Sequence, residues 1–353
     1  MEYTSEIKNL IDILMKEGGS DLHLSAGSHP TIRVSGSLMP LSKRTPLSAE
    51  DTLGLISALL SPKQKEEFLS TQEIDFSYNH EGKTRLRGNG FFQRGAPSIA
   101  LRLIPQHIKT LEELNLPPIL ADFAGRKQGF FLVVGPVGQG KSTTLASLIE
   151  LINTQRSEHI ITIEDPIEYV FEQKKSMIDQ REVRIDTKDF QTALRSVFRQ
   201  DVDVIMIGEM RGAETMATAV TAAETGHLVF STLHTNNAAQ TIDRIIDTFP
   251  SGQQEQIRVQ LSVSLAGVFS QRLIPKVSGG LVPAYELLMN NNAVANLIRE
   301  KRTHELNTVI ETGSDEGMID MNRSLAELVR RGEITVENAY LRSLSPQILE
   351  KLL

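Results

Sequence analysis

GPVGQGKSTT (Gly135–Thr144) follows the apolar run GFFLVV (Gly129–Val134) and precedes a segment with apolar residues at Leu145, Leu148, Ile149 and Ile152. The run is continuous rather than alternating, as expected of a strand buried on both faces of a parallel sheet. The spacing after it is that of one face of a helix. At the junction, Gly135, Gly140, Lys141 and Ser142 stand at the positions of a phosphate-binding loop. Ordinary residue frequencies give a chance match in a chain this long about once in a hundred, and the strand–helix context tightens that further. Glycines let backbone N–H groups turn toward a phosphate, and the helix N-terminus adds a positive dipole. Gly135, Pro136, Val137, Gly138, Gln139, Gly140, Lys141, Ser142 and Thr143 are therefore candidate nucleotide contacts. Lys141 would reach the β/γ-phosphates and the Ser142 hydroxyl would bind Mg²⁺. The stretch predicts a triphosphate-binding domain.

The rest of the chain bounds what that domain can serve. Its 353 residues leave room for two or three domains with proper cores. A net charge of −7 and a pI near 5.7 argue against a chain that coats nucleic acid, which needs a basic face. With no cysteine, disulfides, thiolate zinc sites and cysteine nucleophiles are all excluded, and a reducing compartment fits. The N-terminal stretch has apolar residues at Ile7, Leu10, Ile11 and Leu14 interleaved with charge. That is an amphipathic helix, not a signal peptide. No apolar window of about 18 residues exists, so no transmembrane segment is expected and a cytoplasmic location is.

Along the chain, SDLHLS and PTIRVSGSL read as two strands. Residues 48–69 read as two short helices with Ser48 and Ser61 at their N-caps. EIDFSYNH and KTRLRGNGFFQ form a hairpin, and SIALRLI a further strand. This pattern predicts a small α+β domain over residues 1–104. Residues 105–118, with proline at both ends, read as a linker carrying one short helix. Apolar runs at HIITI (159–163), DVIMI (203–207) and HLVFST (227–232) then alternate with helical patterns, predicting a parallel α/β domain over 119–289. Residues 290–353 read as helical.

A bound triphosphate needs carboxylates to hold metal and orient water. Glu209 follows an apolar strand after Gly208 and is a candidate for metal binding or for polarising the attacking water. Asp203 precedes that strand and reads as structural. Glu164 and Asp165, at the end of another buried strand and before Pro166, emerge where a parallel sheet places its ligand. Glu164 is a candidate general base there. His227 and His234 bracket a further strand as candidates for sensing the γ-phosphate; no cysteine or His–x–His spacing supports zinc.

With the phosphate loop, IITIEDPIEY, RQDVDVIMIGEMRGAET and TAAETGHLVFSTLHTNNAAQTIDRIID occur in an order that resembles the secretion ATPase superfamily of type II and type IV secretion and type IV pili. The four stretches are similar to its Walker A, Asp box, Walker B and His box. SDLHLSAGSHPTIRVSG resembles the family's PAS-like N-terminal domain, and AVANLIREKRTHEL (293–306) its C-terminal helical motif, both in the form of its pilus-retraction branch. The resemblance implies a RecA-like motor domain, a PAS-like α+β domain and a helical C-terminal segment. It implies ATP with Mg²⁺, catalytic Glu164, Glu209, His227 and His234, and metal contacts from Ser142 and Glu209. Arg87 and Arg102 match the two N-terminal-domain arginines that approach nucleotide phosphates, a task suited to a permanently charged planar donor. Arg195, Arg199 and Arg211 are expected at subunit contacts.

As partners the resemblance implies a homohexamer and an inner-membrane pilus platform protein, met peripherally at the cytoplasmic face of the inner membrane. Extension and secretion ATPases are the nearest alternative, but the four-cysteine metal insert usual among them is missing. A nucleotide-gated binder and a DNA translocase are more distant ones. The chain also departs from the family's usual pattern: Val137 and Gln139 replace Thr and Ser, and Val202 and Gly212 replace Pro and Asp. These changes leave phosphate binding in place and bear on turnover.

Overall fold

The computed structural model describes residues 2–34, 36–105 and 107–353. The chain divides near residue 106 into two compact units.

The first unit begins with α1 (Tyr3–Lys16), β1 (Asp21–Ser25), β2 (Thr31–Val34) and β3 (Ser37–Pro40). Then come α2 (Ala49–Leu59), α3 (Pro62–Thr71), β4 (Glu73–His80), β5 (Thr84–Gln93) and β6 (Ala96–Leu103). Ile7, Leu10, Ile11 and Leu14 are all buried on one face of α1. Ser48 and Ser61 each close a capping box, with Asp51 and Gln64 returning the hydrogen bond. An N-cap of this kind is worth about 1 kcal/mol.

The strands make one antiparallel sheet in the order β3-β2-β1-β6-β5-β4. Because side chains alternate along a strand, adjacent rows across the sheet face opposite ways. Ile32, Leu22, Leu101, Gly88 and Phe76 form one row, and its four side chains join the core beneath the helices. Gly88 is required there, since a Cβ would stand 2.3 Å from the Phe76 ring. The neighbouring row, on the opposite face, runs Arg33, Asp21, Arg102, Arg87, Ser77.

In the second unit, residues 111–115 form a turn rather than the helix expected in the linker. The short helix is α4 (Leu120–Ala124), just past Pro117 and Pro118. The alternation that follows is β7 (Gly129–Val134), α5 (Lys141–Gln155), β8 (His159–Glu164), β9 (Met177–Glu182), α6 (Phe190–Val197), β10 (Val204–Ile207), α7 (Ala213–Glu224) and β11 (Leu228–Leu233). Two helices, α8 (Ala238–Asp247) and α9 (Ser251–Ser264), then precede β12 (Leu265–Pro275) and β13 (Leu281–Met289). Five helices close the chain: α10 (Asn292–Arg299), α11 (Leu306–Thr312), α12 (Met321–Arg330), α13 (Val336–Arg342) and α14 (Pro346–Leu352).

The sheet order is β13-β12-β7-β11-β10-β8-β9, parallel except for the β12–β13 pair. The parallel α/β sheet and the helical C-terminal segment are as the sequence predicts. β7 is buried at every position, and each of its large side chains contributes about 1.5–3 kcal/mol. Among the described residues no helix is long and apolar enough to cross a membrane.

Candidate nucleotide site

Parallel order brings the carboxyl ends of β7, β8, β10 and β11 to one edge, where an open α/β sheet takes its ligand. At β7 the chain turns through Gly135, Gly138 and Gly140, with φ of 147°, 76° and 79°. Only glycine adopts such angles without strain. Gly135 is also needed for close approach, because a Cβ would lie 2.5 Å from the Gln271 carbonyl oxygen. Gly140 opens α5 without a side-chain cap. The first-turn N–H groups have no partner within the helix, which makes a helix start an anion site. Val137 stands at the tip, 81% exposed.

Lys141 is buried at the foot of the loop. Its ammonium donates to Gly135 O at 2.8 Å and Pro136 O at 2.9 Å, and lies 3.3 Å from His234 Nδ1. An ammonium has no lone pair, so Nδ1 is the acceptor in this contact. In the neutral ring Nε2 then carries the hydrogen, and it faces Glu209 Oε2 at 3.4 Å. Glu209 Oε1 pairs with Arg211. Lys141, His234 and Glu209 therefore form one chain of contacts, built from the start of α5 and the segments after β10 and β11.

Glu164 ends β8 beside them. Its Oε1 accepts from Thr162 Oγ1 at 2.8 Å and from Gln180 Nε2 at 3.3 Å, and the residue is buried. Gly208 N–H donates to Ile163 O at 2.8 Å, so the segment carrying Glu209 leaves the sheet next to Glu164. The Asp165–Pro166 bond is cis, and Arg184 Nη2 lies 4.0 Å from Asp165 Oδ2.

The donors fit a nucleotide phosphate: an uncapped helix start, glycine-shaped backbone and a buried lysine at its foot. They also fit Mg²⁺, which keeps several waters and needs only one or two protein oxygens besides those of the phosphate. Ser142 and Glu209 are of that kind. Among the described residues no group of three or more His, Asp or Glu is assembled for a metal.

Other expected residues lie elsewhere. His227 stands at the amino end of β11, where its Nδ1 meets Ala222 O at 3.0 Å and its ring packs edge-on against Phe198. At a strand rise of about 3.3 Å per residue it is roughly 20 Å from the loop in this unit. The histidine pair is thus split: His234 joins the site and His227 does not. A residue before a parallel strand belongs to the far edge, which the strand assignment alone would have revealed. Asp203 is at that same edge, accepting from His159 N–H at 2.8 Å. Arg195 and Arg199 are exposed. Arg87 and Arg102 belong to the first unit, where they are direct cross-strand partners.

Sequence reasoning missed the bracing from β12. That strand runs past the end of β7, and the phosphate loop packs against the extension. The Gln139 side chain accepts from Leu273 N–H at 2.8 Å, and Gln271 Nε2 donates to Gln139 O at 2.8 Å. Thr144 Oγ1 completes the link to Gln271 Oε1 at 2.7 Å. Arg272 donates to Gln271 O at 2.9 Å and to both oxygens of Asn236 at 3.0 Å, fixing the segment just after His234. On β13, Glu286 accepts from Ala238 N–H at 2.7 Å, and burial pushes its carboxyl up to about 7. No motif in the sequence marks these residues, because most of their partners lie far along the chain.

The Gln139 contact carries a prediction. Serine at this position is too short to reach Leu273 N–H, so Gln139→Ser frees the loop at the cost of one hydrogen bond, about 0.5–1.5 kcal/mol. ADP should bind roughly 2- to 10-fold more weakly and leave faster, read by stopped-flow with a fluorescent ADP. Unchanged release would show that the bond does not stiffen the loop.

Comparison with known proteins accords with this geometry. The model of the family "Type II/IV secretion system protein" matches residues 5–339. The type IV pilus retraction ATPase PilT of Pseudomonas aeruginosa is 44% identical over 97% of this chain and 99% of its own length. The type IV pilus ATPase PilU of the same organism is 42% identical over 95% of this chain and 87% of its own. A crystal structure of the pilus retraction motor PilT with bound ADP superposes with a TM-score of 0.92 at 47% identity, covering 98% of each chain. Matched along nearly its whole length in sequence and in fold, the chain belongs to the type II/IV secretion system protein family.

Proposed function

We infer that this chain is an ATP-hydrolysing motor that powers retraction of a type IV pilus. The observation that carries the reading is the Lys141–His234–Glu209 chain at the foot of a formed phosphate loop, in a fold shared over 98% of the chain with a pilus retraction motor solved with bound ADP. ATP would lie with its phosphates on residues Gly135 to Thr143. To reach them Lys141 exchanges its loop carbonyls for phosphate oxygens, a stronger charge-assisted contact. Glu164 accepts the proton of the attacking water, and Glu209 orients that water through the His234 side of the site. His234, touching both Lys141 and Glu209, is placed to report the loss of the γ-phosphate. Mg²⁺, held by Ser142 and Glu209, would neutralise developing charge on the phosphate oxygens.

Arg87 and Arg102 supply further cationic donors to the phosphates. Each turnover would take place on the motor domain of residues 119–289, with the PAS-like domain of residues 1–104 as the second part of the motor. In a homohexamer at the cytoplasmic face of the inner membrane, this would turn a platform protein and withdraw pilin subunits. Arg195, Arg199 and His227, away from the loop, suit contacts between subunits.

A second reading, an auxiliary retraction motor, is favoured by Val137 and Gln139, which depart from the family's usual loop. Deleting the gene in its source organism separates the readings. A principal retraction motor leaves excess pili and no twitching, an auxiliary one leaves twitching reduced, and bald cells would overturn retraction in favour of extension.

A further inference from the structure

Arg272 on β12 is only 5% exposed and lies against the phosphate loop. A Cβ on Gly135 would stand 3.2 Å from its Nη1, and Gly135 O accepts from Lys141. The first glycine of the loop is thus next to two cations. The Arg272 guanidinium donates to Gln271 O at 2.9 Å and to Asn236 O and Oδ1, each at 3.0 Å. All three acceptors are neutral. Among the described residues no carboxylate is hydrogen-bonded to it. Burial moves the guanidinium below its ordinary range, but an arginine keeps its proton in a protein.

A buried charge is costly unless it is paired. Bracing alone does not require one, because a neutral amide also supplies N–H donors. Asn236 O has a second donor besides, Ser270 Oγ at 2.8 Å. Neutralising an acid does not account for the charge either. Glu286 on β13 and Arg342 on α13 act on Arg272 in opposite senses. Burial dominates at Glu286 and pushes its carboxyl up to about 7, against the smaller pull of Ala238 N–H and of Arg272. A carboxylate placed to pair with an arginine would be held low instead. Arg272 therefore keeps a charge that its own neighbours do not cancel, beside the loop where an anion binds.

We propose that Arg272 is a fixed cation behind the phosphate loop, which raises the affinity of the loop for the multiply charged phosphates of a nucleotide without touching them. This rests on the reading that the phosphates lie on residues Gly135 to Thr143. A charge acting through protein is screened far less than one acting through water, so its reach extends past the residues it contacts. Removing it should weaken ATP about 10-fold, ADP by less, and adenosine not at all. What matters is the charge, and not the hydrogen bonds that hold it.

The test sets charge against hydrogen bonding in the full-length chain. Arg272→Lys keeps the charge and loses the planar fork, Arg272→Gln keeps amide donors and loses the charge, and Arg272→Met lacks both. Competition against a fluorescent ADP reads the affinity for ATP, ADP and adenosine, with Tm alongside. Arg272→Lys should bind ATP within about 3-fold of the parent chain, and Arg272→Gln as weakly as Arg272→Met. Either comparison with Arg272→Met suffices where the other variant does not fold. Parent-like ATP binding by Arg272→Gln, or binding by Arg272→Lys as weak as by Arg272→Met, overturns the inference and leaves the loop as the phosphate site. A parent chain that binds adenosine as tightly as ATP overturns the phosphate reading, and the inference with it.

Discussion

Lys141→Ala is expected to abolish measurable ATP hydrolysis and to weaken nucleotide binding about 100-fold, the value of one or two charge-assisted hydrogen bonds to phosphate. Phosphate release and equilibrium binding of fluorescent ATP measure the two effects. The substitution also has a cost before nucleotide arrives. Gly135 O and Pro136 O accept from this ammonium, and alanine leaves them without that donor. A modest fall in Tm should therefore accompany the loss, and added nucleotide should restore little of it. Binding that survives at wild-type strength would mean that the loop backbone alone holds the phosphates.

Glu209→Gln is expected to behave oppositely, retaining ATP while losing turnover. The amide preserves the size of the side chain next to His234 and Arg211 but removes the charge that orders water. General acid–base and water-orienting groups of this kind are worth about 10²- to 10⁴-fold in kcat. A protein that binds ATP and turns it over normally would remove Glu209 from the mechanism. Glu164 would then be left as the carboxylate at the same edge. Its buried position between Thr162 and Gln180 suits a base whose orientation must not drift.

The sequence was most legible where burial and chemistry coincide. β7, β8, β10 and β11 are continuous apolar runs because both faces are covered, and the loop after β7 has a fixed glycine pattern because its backbone must open toward phosphate. The neighbouring elements gave weaker signals. β9 sits at the sheet's edge, and MIDQRE is polar, as edge strands tend to be. β12 was hidden for a different reason. Helix α9 runs into it at Ser264–Leu265 with no glycine or proline between, so no local breaker marks the change. Its interior also buries Ser270, Gln271 and Arg272, residues that read as surface until their partners are known.

The site shows the same division. Gly135, Lys141, Glu164, Glu209 and His234 were identifiable as residue types at strand ends. Strand polarity picks out Glu164, Glu209 and His234, which end or follow their strands, whereas His227 precedes its strand and enters the candidate set as one of the two histidines that bracket it. Gln271 and Arg272 act on groups far along the chain, and single-sequence periodicity carries no information about such pairs. Gln139 is legible as a phosphate-loop position and as a departure from the usual serine, but its reach to Leu273 depends on β12 being in place.

That reach has a thermodynamic consequence. A phosphate loop tethered to β12 at Gln139 and Gln271 is already ordered before any ligand arrives. Most glycine-rich segments surrender backbone freedom when they close on an anion, at about 1–2 kcal/mol per residue fixed. Here that entropy was relinquished when the domain folded. Calorimetry should accordingly find nucleotide association with little conformational-entropy penalty, and a larger one once the tether is cut.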